Sequence, residues 1–187
     1  TVEDGNTCEQ TLAVTAPDCS CPVVGVPTSG GDEEYCAGDA IPTLTASVGA
    51  GETVDWYAAA TGGTALASNT TSYTPGSAGT YYAEARNTTT NCTSSTRTAI
   101  VLTENALPTI SVSTAAACSA DLLTYSVSVN VSSGTVTSTA GTVTDNGGNN
   151  WTISAIAAGT DITLTVEDGN TCEQTLAVTA PDCSCPV

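Results

Sequence analysis

The first 23 residues of the chain, TVEDGNTCEQTLAVTAPDCSCPV, recur without a change at residues 165–187. Two identical stretches of this length do not arise by chance, and their separation gives a period of 165 − 1 = 164 residues. Self-similarity at a fixed period is the signature of a repeat protein. We therefore expect the chain to be slightly more than one unit of a tandem array, cut from a longer parent whose export signal lies outside residues 1–187.

A weaker repeat divides each period in two. The sequence CAGD at residues 36–39 resembles CSAD at residues 118–121, an offset of 82, and Cys92 matches Cys172 at an offset of 80. We predict a first module over residues 22–104 and a second over residues 105–187. The second range includes the start of the next joint, the short segment that connects one module to the next. Residues 1–21 are then the C-terminal hairpin of a preceding module and a copy of residues 165–185.

Apolar residues alternate with Thr and Ser along most of the chain. Tyr125, Val127, Val129 and Val131 fall on one face of such a segment, and residues 41–48, 53–58, 79–86 and 97–103 follow the same pattern. Alternation at period two is typical of half-buried strands, and no stretch carries a helical stripe. The sequence predicts an all-β fold of tandem antiparallel β-sandwich modules, with a hairpin turn at residues 168–170.

Two phrases resemble immunoglobulin-like domains. VDWY at residues 54–57 is similar to the third strand with its buried Trp56, and AGTYYA at residues 78–83 is similar to the run into the sixth strand with its corner Tyr81. Together with GDEEYCAGDAIPTL and GTYYAEARN, they resemble the Ig-like repeats of giant Bacteroidota surface proteins. The second module, which ends AGTDITLTVEDGNTC, resembles the PKD-like repeats of gliding adhesins.

The resemblance implies an extracellular, cell-surface protein that is secreted by the type IX route and acts in adhesion or gliding. It also implies that Trp56 and Tyr81 belong to the core, and aromatic residues at alternating strand positions usually do, which places Trp151 there as well. The rival interpretation is a sugar-binding face formed by these three residues together with Tyr57, Tyr82 and Tyr125.

The nine cysteines predict disulfides rather than a metal site. Cys8, Cys19 and Cys21 duplicate Cys172, Cys183 and Cys185, which leaves six per period, an even number. An oxidised, extracellular protein is the natural interpretation. Because the half-repeats align, we predict that Cys36 pairs with Cys92 and Cys118 with Cys172, one bond inside each module.

The remaining pair, Cys183 and Cys185, stands at the joint between periods. These residues could bond to each other, reach into a neighbouring module or link neighbouring filaments, and the first alternative is the simplest because it leaves no thiol unpaired. A zinc site would need four ligands, which two thiols in a chain without His do not supply. No cofactor is expected.

The charge of the chain excludes several function classes. With 2 Lys+Arg against 19 Asp+Glu, the net charge is −17, which is opposite to the basic patch that nucleic acids or anionic membranes require. The absence of His removes the commonest general base, and no pair of carboxylates stands out, so we predict that the chain is not an enzyme. Asp32, Glu33, Glu34 and Asp39 are weak candidates for a calcium site, and the alternative is a solvated acidic face.

Five Asn-x-Ser/Thr sequons are candidate glycosylation sites, and the dense Ser and Thr would equally permit O-linked glycans. The sequons begin at Asn69, Asn87, Asn91, Asn130 and Asn150.

These observations favour the repeat unit of a long extracellular filament or adhesin stalk, with neighbouring identical repeats as its partners. At about 3.3 Å per residue of strand, one period of two sandwiches placed end to end would advance roughly 70 to 90 Å. One alternative is an Ig-like module that binds carbohydrate, protein or other cells. Another is a noncovalent filament in which residues 1–21 donate strands to a neighbouring subunit.

Overall fold

The computed structural model describes residues 20–184 and, as backbone only, two short strands near the start of the chain. These are β1 (Val2–Glu3) and β2 (Glu9–Gln10), which pair antiparallel with Val2 opposite Gln10 and Glu3 opposite Glu9. The rest of the hairpin predicted over residues 1–21 lies outside the described residues, apart from residues 20 and 21. No helix that could span a membrane occurs among the described residues.

Seven strands follow between residues 28 and 105. They are β3 (Thr28–Ser29), β4 (Glu33–Cys36), β5 (Leu44–Ser47), β6 (Glu52–Tyr57), β7 (Ser72–Tyr73), β8 (Gly79–Asn87) and β9 (Thr98–Asn105). They form two sheets, in the orders β3-β5-β7 and β4-β9-β8-β6. Strand β3 pairs with β5, and β6 with β8, in antiparallel fashion, whereas β4 runs parallel to β9.

The residues buried on β6 and β8 explain why these strands pair where they do. Trp56 lies directly opposite Ala83, and both are fully buried. Val54 lies opposite Ala85, which is also fully buried. A large side chain facing a small one on the neighbouring strand lets the layer fill without voids.

Seven further strands complete the chain. They are β10 (Ile110–Cys118), β11 (Thr124–Val131), β12 (Thr135–Ser138), β13 (Thr142–Asp145), β14 (Asn150–Ala157), β15 (Ile162–Glu167) and β16 (Glu173–Val178). One sheet has the order β10-β11-β14-β13 and the other β12-β15-β16.

One hydrophobic core joins these last two sheets. Val127 and Ile153 on the first sheet pack in the same cluster as Leu164 and Val178 on the second. The alternation predicted along residues 125–131 is confirmed, because all four apolar residues of that segment are buried. Two sheets that share one core make a β-sandwich, so the predicted all-β, immunoglobulin-like fold class is confirmed.

The hairpin of β15 and β16 repeats the register of β1 and β2. Val166 lies opposite Gln174 and Glu167 opposite Glu173, which are the same residues 164 positions further on. Asp168 closes the turn: its Oδ1 accepts hydrogen bonds from the backbone N–H groups of Asn170 at 2.9 Å and Cys172 at 3.0 Å. The turn predicted at residues 168–170 is thus confirmed.

The chain folds into two compact units. The first comprises Thr1–Gly30, Thr45–Thr71 and Tyr82–Ala99, and the second comprises Gly31–Leu44, Ser72–Tyr81 and Ile100–Val187. Where the structure describes the chain, the first unit holds one disulfide and both Arg residues, and the second holds two disulfides and the core between the last two sheets.

Candidate functional site

Three disulfides are the most distinctive feature of the described residues. They join Cys21 to Cys92, Cys36 to Cys172 and Cys118 to Cys183, with Cα–Cα distances of 5.6, 5.5 and 5.7 Å. The sequence separations are 71, 136 and 65 residues. Each bond therefore closes a long loop, which restricts the unfolded chain strongly.

The predicted pairing of Cys36 with Cys92 is wrong, and strand geometry explains why. Cys36 lies level with Asn105, at the end of β9, whereas Cys92 lies in the loop that precedes Thr98, at the start of β9. The seven residue steps from Thr98 to Asn105 span about 23 Å of strand. A disulfide needs Cα atoms within about 7 Å, and the structure bonds Cys36 to Cys172 and Cys92 to Cys21 instead.

The predicted pairing of Cys118 with Cys172 is wrong for the same reason. Cys118 lies opposite Tyr125, at the end of the sandwich where β14 leads into β15. Cys172 lies in the turn after β15, at the opposite end of that strand. Strand β16 runs back from that turn and brings Cys183 to Cys118.

The bond that the sequence favoured between Cys183 and Cys185 is excluded, because Cys183 is already bonded to Cys118. Cys185, like Cys8 and Cys19, lies outside the described residues. Cys21 is the copy of Cys185 from one period earlier, and it bonds forward to Cys92. Sequence reasoning favoured a bond between the two joint cysteines, and Cys21 instead follows the alternative in which one of them reaches into a neighbouring module.

Both cationic side chains of the protein are used in ion pairs within the first unit. Arg86 donates from Nε to Asp55 Oδ2 at 2.7 Å, and from its Nη atoms to the side-chain oxygens of Asn69 at 2.6 Å and Asn91 at 3.1 Å. Burial by itself would raise the pKa of Asp55, but Arg86 and the backbone N–H of Asn69, at 3.0 Å, hold that pKa below its ordinary value. Asp55 is therefore a buried, ionised carboxylate that fixes the position of Arg86.

The second cation, Arg97, is enclosed in a similar way. Its Nε donates to Glu84 Oε1 at 3.1 Å, and Nη1 donates to the carbonyl oxygens of Ala59 at 2.8 Å and Gly62 at 2.7 Å. Its guanidinium carbon lies 3.3 Å from the centre of the Tyr57 ring. The side chains of Arg86 and Arg97 are only 19% and 8% exposed, so the charge that the described chain presents to solvent is almost entirely negative.

The four candidate calcium ligands are placed along β4 and the segment on either side of it. Asp32 Oδ1 accepts from the backbone N–H of Val101 at 2.8 Å, and Glu34 Oε2 accepts from Asn105 Nδ2 at 2.9 Å. Glu34 and Asp39 line one hollow beside Cys36, whereas Glu33 is exposed on the strand. Across residues 20–184, no group of three or more His, Cys, Asp or Glu is placed to hold a metal ion.

Among the candidate residues of a sugar-binding face, Trp56, Tyr81 and Tyr125 are buried or bonded to the backbone, and Tyr57 and Tyr82 are half-buried. Trp56 is fully buried, and its Nε1 donates to the carbonyl oxygen of Thr70 at 2.9 Å. The hydroxyl of Tyr81 donates to the carbonyl oxygen of Ser77 at 2.8 Å, as a corner tyrosine does. Trp151 is half-buried against the core of the second sandwich, and Tyr125 is buried with its hydroxyl bonded to the carbonyl of Thr160.

The candidate glycosylation residues occupy different environments. Asn69, Asn91 and Asn130 are exposed, whereas Asn87 and Asn150 are half-buried. Asn87 uses Oδ1 to accept from the backbone N–H groups of Thr89 and Thr90, and Asn150 donates from Nδ2 to Asn130 at 2.8 Å.

Residues 22–105 match the family described as "Ig-like domain CHU_C associated". The matched range includes β3 to β9 and therefore the cross-strand pair Trp56 and Ala83. It ends before β10, so Cys36 lies inside the matched domain and Cys172 outside it. No curated protein sequence shows a significant match to the chain.

Three solved structures are similar to the chain at low sequence identity. The fibronectin(III)-like modules of Clostridium thermocellum CbhA share 15% identity at a TM-score of 0.38, over 82% of this chain and 93% of that one. The Dpr2 Ig1-Ig2 complex with DIP-Theta Ig1-Ig3 shares 12% identity at a TM-score of 0.30, over 82% of this chain and 63% of that one. The Bacteroides ovatus protein SGBP-B, solved with a mixed-linkage heptasaccharide, shares 16% identity at a TM-score of 0.27, over 90% of this chain and 46% of that one.

Proposed function

We propose that the chain is one period, with a short overlap, of a long extracellular cell-surface filament or adhesin stalk, and that it is non-catalytic. The observation that carries this proposal is the duplicated 23-residue sequence, whose two copies form hairpins of the same register at positions 164 residues apart. In a tandem array the same hairpin closes every second module. Length is then obtained by repeating one pair of sandwiches.

The disulfides and the charge both support this role. The three disulfides among residues 20–184 are typical of proteins outside the reducing cytoplasm. The cations are enclosed in ion pairs, so neighbouring fibres would repel each other and stay dispersed. Of the aromatic residues that a sugar-binding face would need, Trp56 and Tyr125 are instead buried, and Tyr81 is held to the backbone.

The chain mass of the native material on a reducing denaturing gel tests the proposal. We expect a species of hundreds of kilodaltons, because a covalent array survives both denaturant and reductant. A band near 18.5 kDa would contradict the array and would identify a discrete subunit. A ladder that collapses to that band only on reduction would show subunits joined by disulfides and would equally overturn the proposal.

A further inference from the structure

The two copies of the duplicated segment each show one half of the bonding at a joint. In the downstream copy, Cys183 bonds backward to Cys118, and in the upstream copy, Cys21 bonds forward to Cys92. Because residues 19 and 21 are copies of residues 183 and 185, every joint of an array carries both kinds of cysteine, two residues apart. One anchors the preceding module and the other anchors the following one.

We propose that these bonds limit the extension of the array by providing two covalent routes through every period, which share only residues 183–185. The inference rests on the proposed function as a tandem array. In it, Cys185 bonds to the residue of the next period that is equivalent to Cys92, so all six cysteines of a period are paired. A pull along the fibre is then carried by disulfides that bypass most of the chain.

The first route from Cys21 to Cys185 uses two of the bonds. It crosses from Cys21 to Cys92, follows the chain for 118 − 92 = 26 steps, crosses from Cys118 to Cys183 and ends two steps later. Only 28 of the 164 residue steps in a period lie on this route.

The second route uses the third bond. It follows the chain for 36 − 21 = 15 steps, crosses from Cys36 to Cys172 and continues for 185 − 172 = 13 steps. This route also contains 28 residue steps, so the two routes have equal chain length. A pulling force is therefore shared between them even when every sandwich is unfolded.

The route length sets the maximum extension. At about 3.6 Å per extended residue, 28 steps span about 100 Å, whereas the 164 steps of a reduced period span about 590 Å. An oxidised period therefore cannot extend beyond about 100 Å even when both sandwiches are unfolded, which is about one sixth of the reduced length.

The equal lengths also make the routes redundant. Removing the bond between Cys36 and Cys172 leaves the first route, and removing the bond between Cys118 and Cys183 leaves the second. Removing both leaves only the bond between Cys21 and Cys92, after which 185 − 92 = 93 steps are free to extend. A long extension therefore requires two bonds to be broken in the same period.

Single-molecule stretching of the 187-residue chain between handles on its two ends tests the inference. Cys8, Cys19 and Cys185 are replaced by Ser, because their partners would lie in neighbouring periods. From residue 1 to residue 187 the oxidised chain then has 20 + 28 + 2 = 50 extensible steps, and we expect a full contour length of about 180 Å. With reductant, the same molecule should reach about 670 Å, from 186 steps.

The variants test the redundancy. Cys36→Ser with Cys172→Ser, or Cys118→Ser with Cys183→Ser, should each keep the limit near 180 Å, and the four substitutions together should raise it to about 410 Å. The inference would be overturned if the oxidised chain with only Cys8, Cys19 and Cys185 replaced extended well beyond about 180 Å. It would also be overturned if a variant that lacks only one of the bonds extended well beyond about 180 Å. The measurement on the chain with only Cys8, Cys19 and Cys185 replaced does not depend on whether the other variants fold.

This experiment and the gel separate the two proposals. A stretching limit near 180 Å together with a native band near 18.5 kDa would leave the two routes in place but contradict the array. A high native mass together with long oxidised extensions would support the array and contradict the two routes.

Discussion

The guanidinium of Arg86 meets the carboxylate of Asp55 at two points, with Nε 2.7 Å from Oδ2 and Nη2 3.3 Å from Oδ1. Asp55 lies opposite Glu84 on the neighbouring strand, and Arg86 is two residues beyond Glu84, so the ion pair is diagonal across β6 and β8. Only 5% of Asp55 is exposed. The ion pair neutralises both side chains and fixes the register of these two strands.

Replacing Asp55 with Asn should destabilise the chain markedly. The substitution keeps the size of the side chain but leaves Arg86 without its charged partner, and breaking a buried ion pair on one side costs about 3 kcal/mol. Denaturant unfolding of the oxidised chain measures the change. Glu33→Gln, on an exposed strand position, is the matched control and should change the free energy of unfolding by less than about 0.5 kcal/mol.

The effect of Asp55→Asn should depend on pH. The pKa of Asp55 is lowered in the folded chain from its ordinary value of 3.8, so its contribution to stability is complete above that value and is lost as the pH falls through the folded pKa. We expect the difference in unfolding free energy between wild type and Asp55→Asn to be constant from about pH 5 to 7 and to shrink below pH 3.8. A difference that stays the same down to pH 2 would show that the charge on Asp55 is not what stabilises the chain.

Much of the fold could be predicted because period-two alternation is a local property of the sequence. The segment from Tyr125 to Val131 alternates over seven residues, and burying one face of it requires a strand within a sandwich. The burial of Trp56 and the corner hydrogen bond of Tyr81 agree with the short sequences around them, since each of these is confined to one strand or one corner. Tyr81 itself is half-buried, although it was predicted to belong to the core.

The disulfide pairing could not be obtained in that way. Aligning the half-repeats correctly matched Cys36 with Cys118 and Cys92 with Cys172, and equivalent cysteines do lie at equivalent places, at a strand end or in a hairpin. Whether two such places adjoin depends on the direction of every intervening strand. The diagonal contact between Asp55 and Arg86 likewise depends on register, which no local pattern specifies.

Gly134 is required by the close approach of two strands. Its φ is +93°, and a Cβ atom at this position would overlap the backbone carbonyl group of Glu167. Gly134→Ala should therefore lower the free energy of unfolding by more than about 2 kcal/mol, because both the backbone conformation and the contact are unfavourable. Thermal unfolding of this variant beside Gly76→Ala, where a Cβ meets nothing within 4 Å, provides the comparison. Equal melting temperatures would contradict the close approach.

Peptide mapping of native material, cleaved after Glu and Arg without reductant, tests most directly whether the chain is a disulfide-stapled array. In an array the joint peptide is QTLAVTAPDCSCPVVGVPTSGGDE, the sequence of residues 10–33, and it carries both joint cysteines. Our account predicts one three-peptide species, in which this peptide is linked both to residues 105–167 through Cys118 and to residues 87–97 through Cys92. The joint peptide released alone with an internal bond, or linked to only one of these partners, would contradict it.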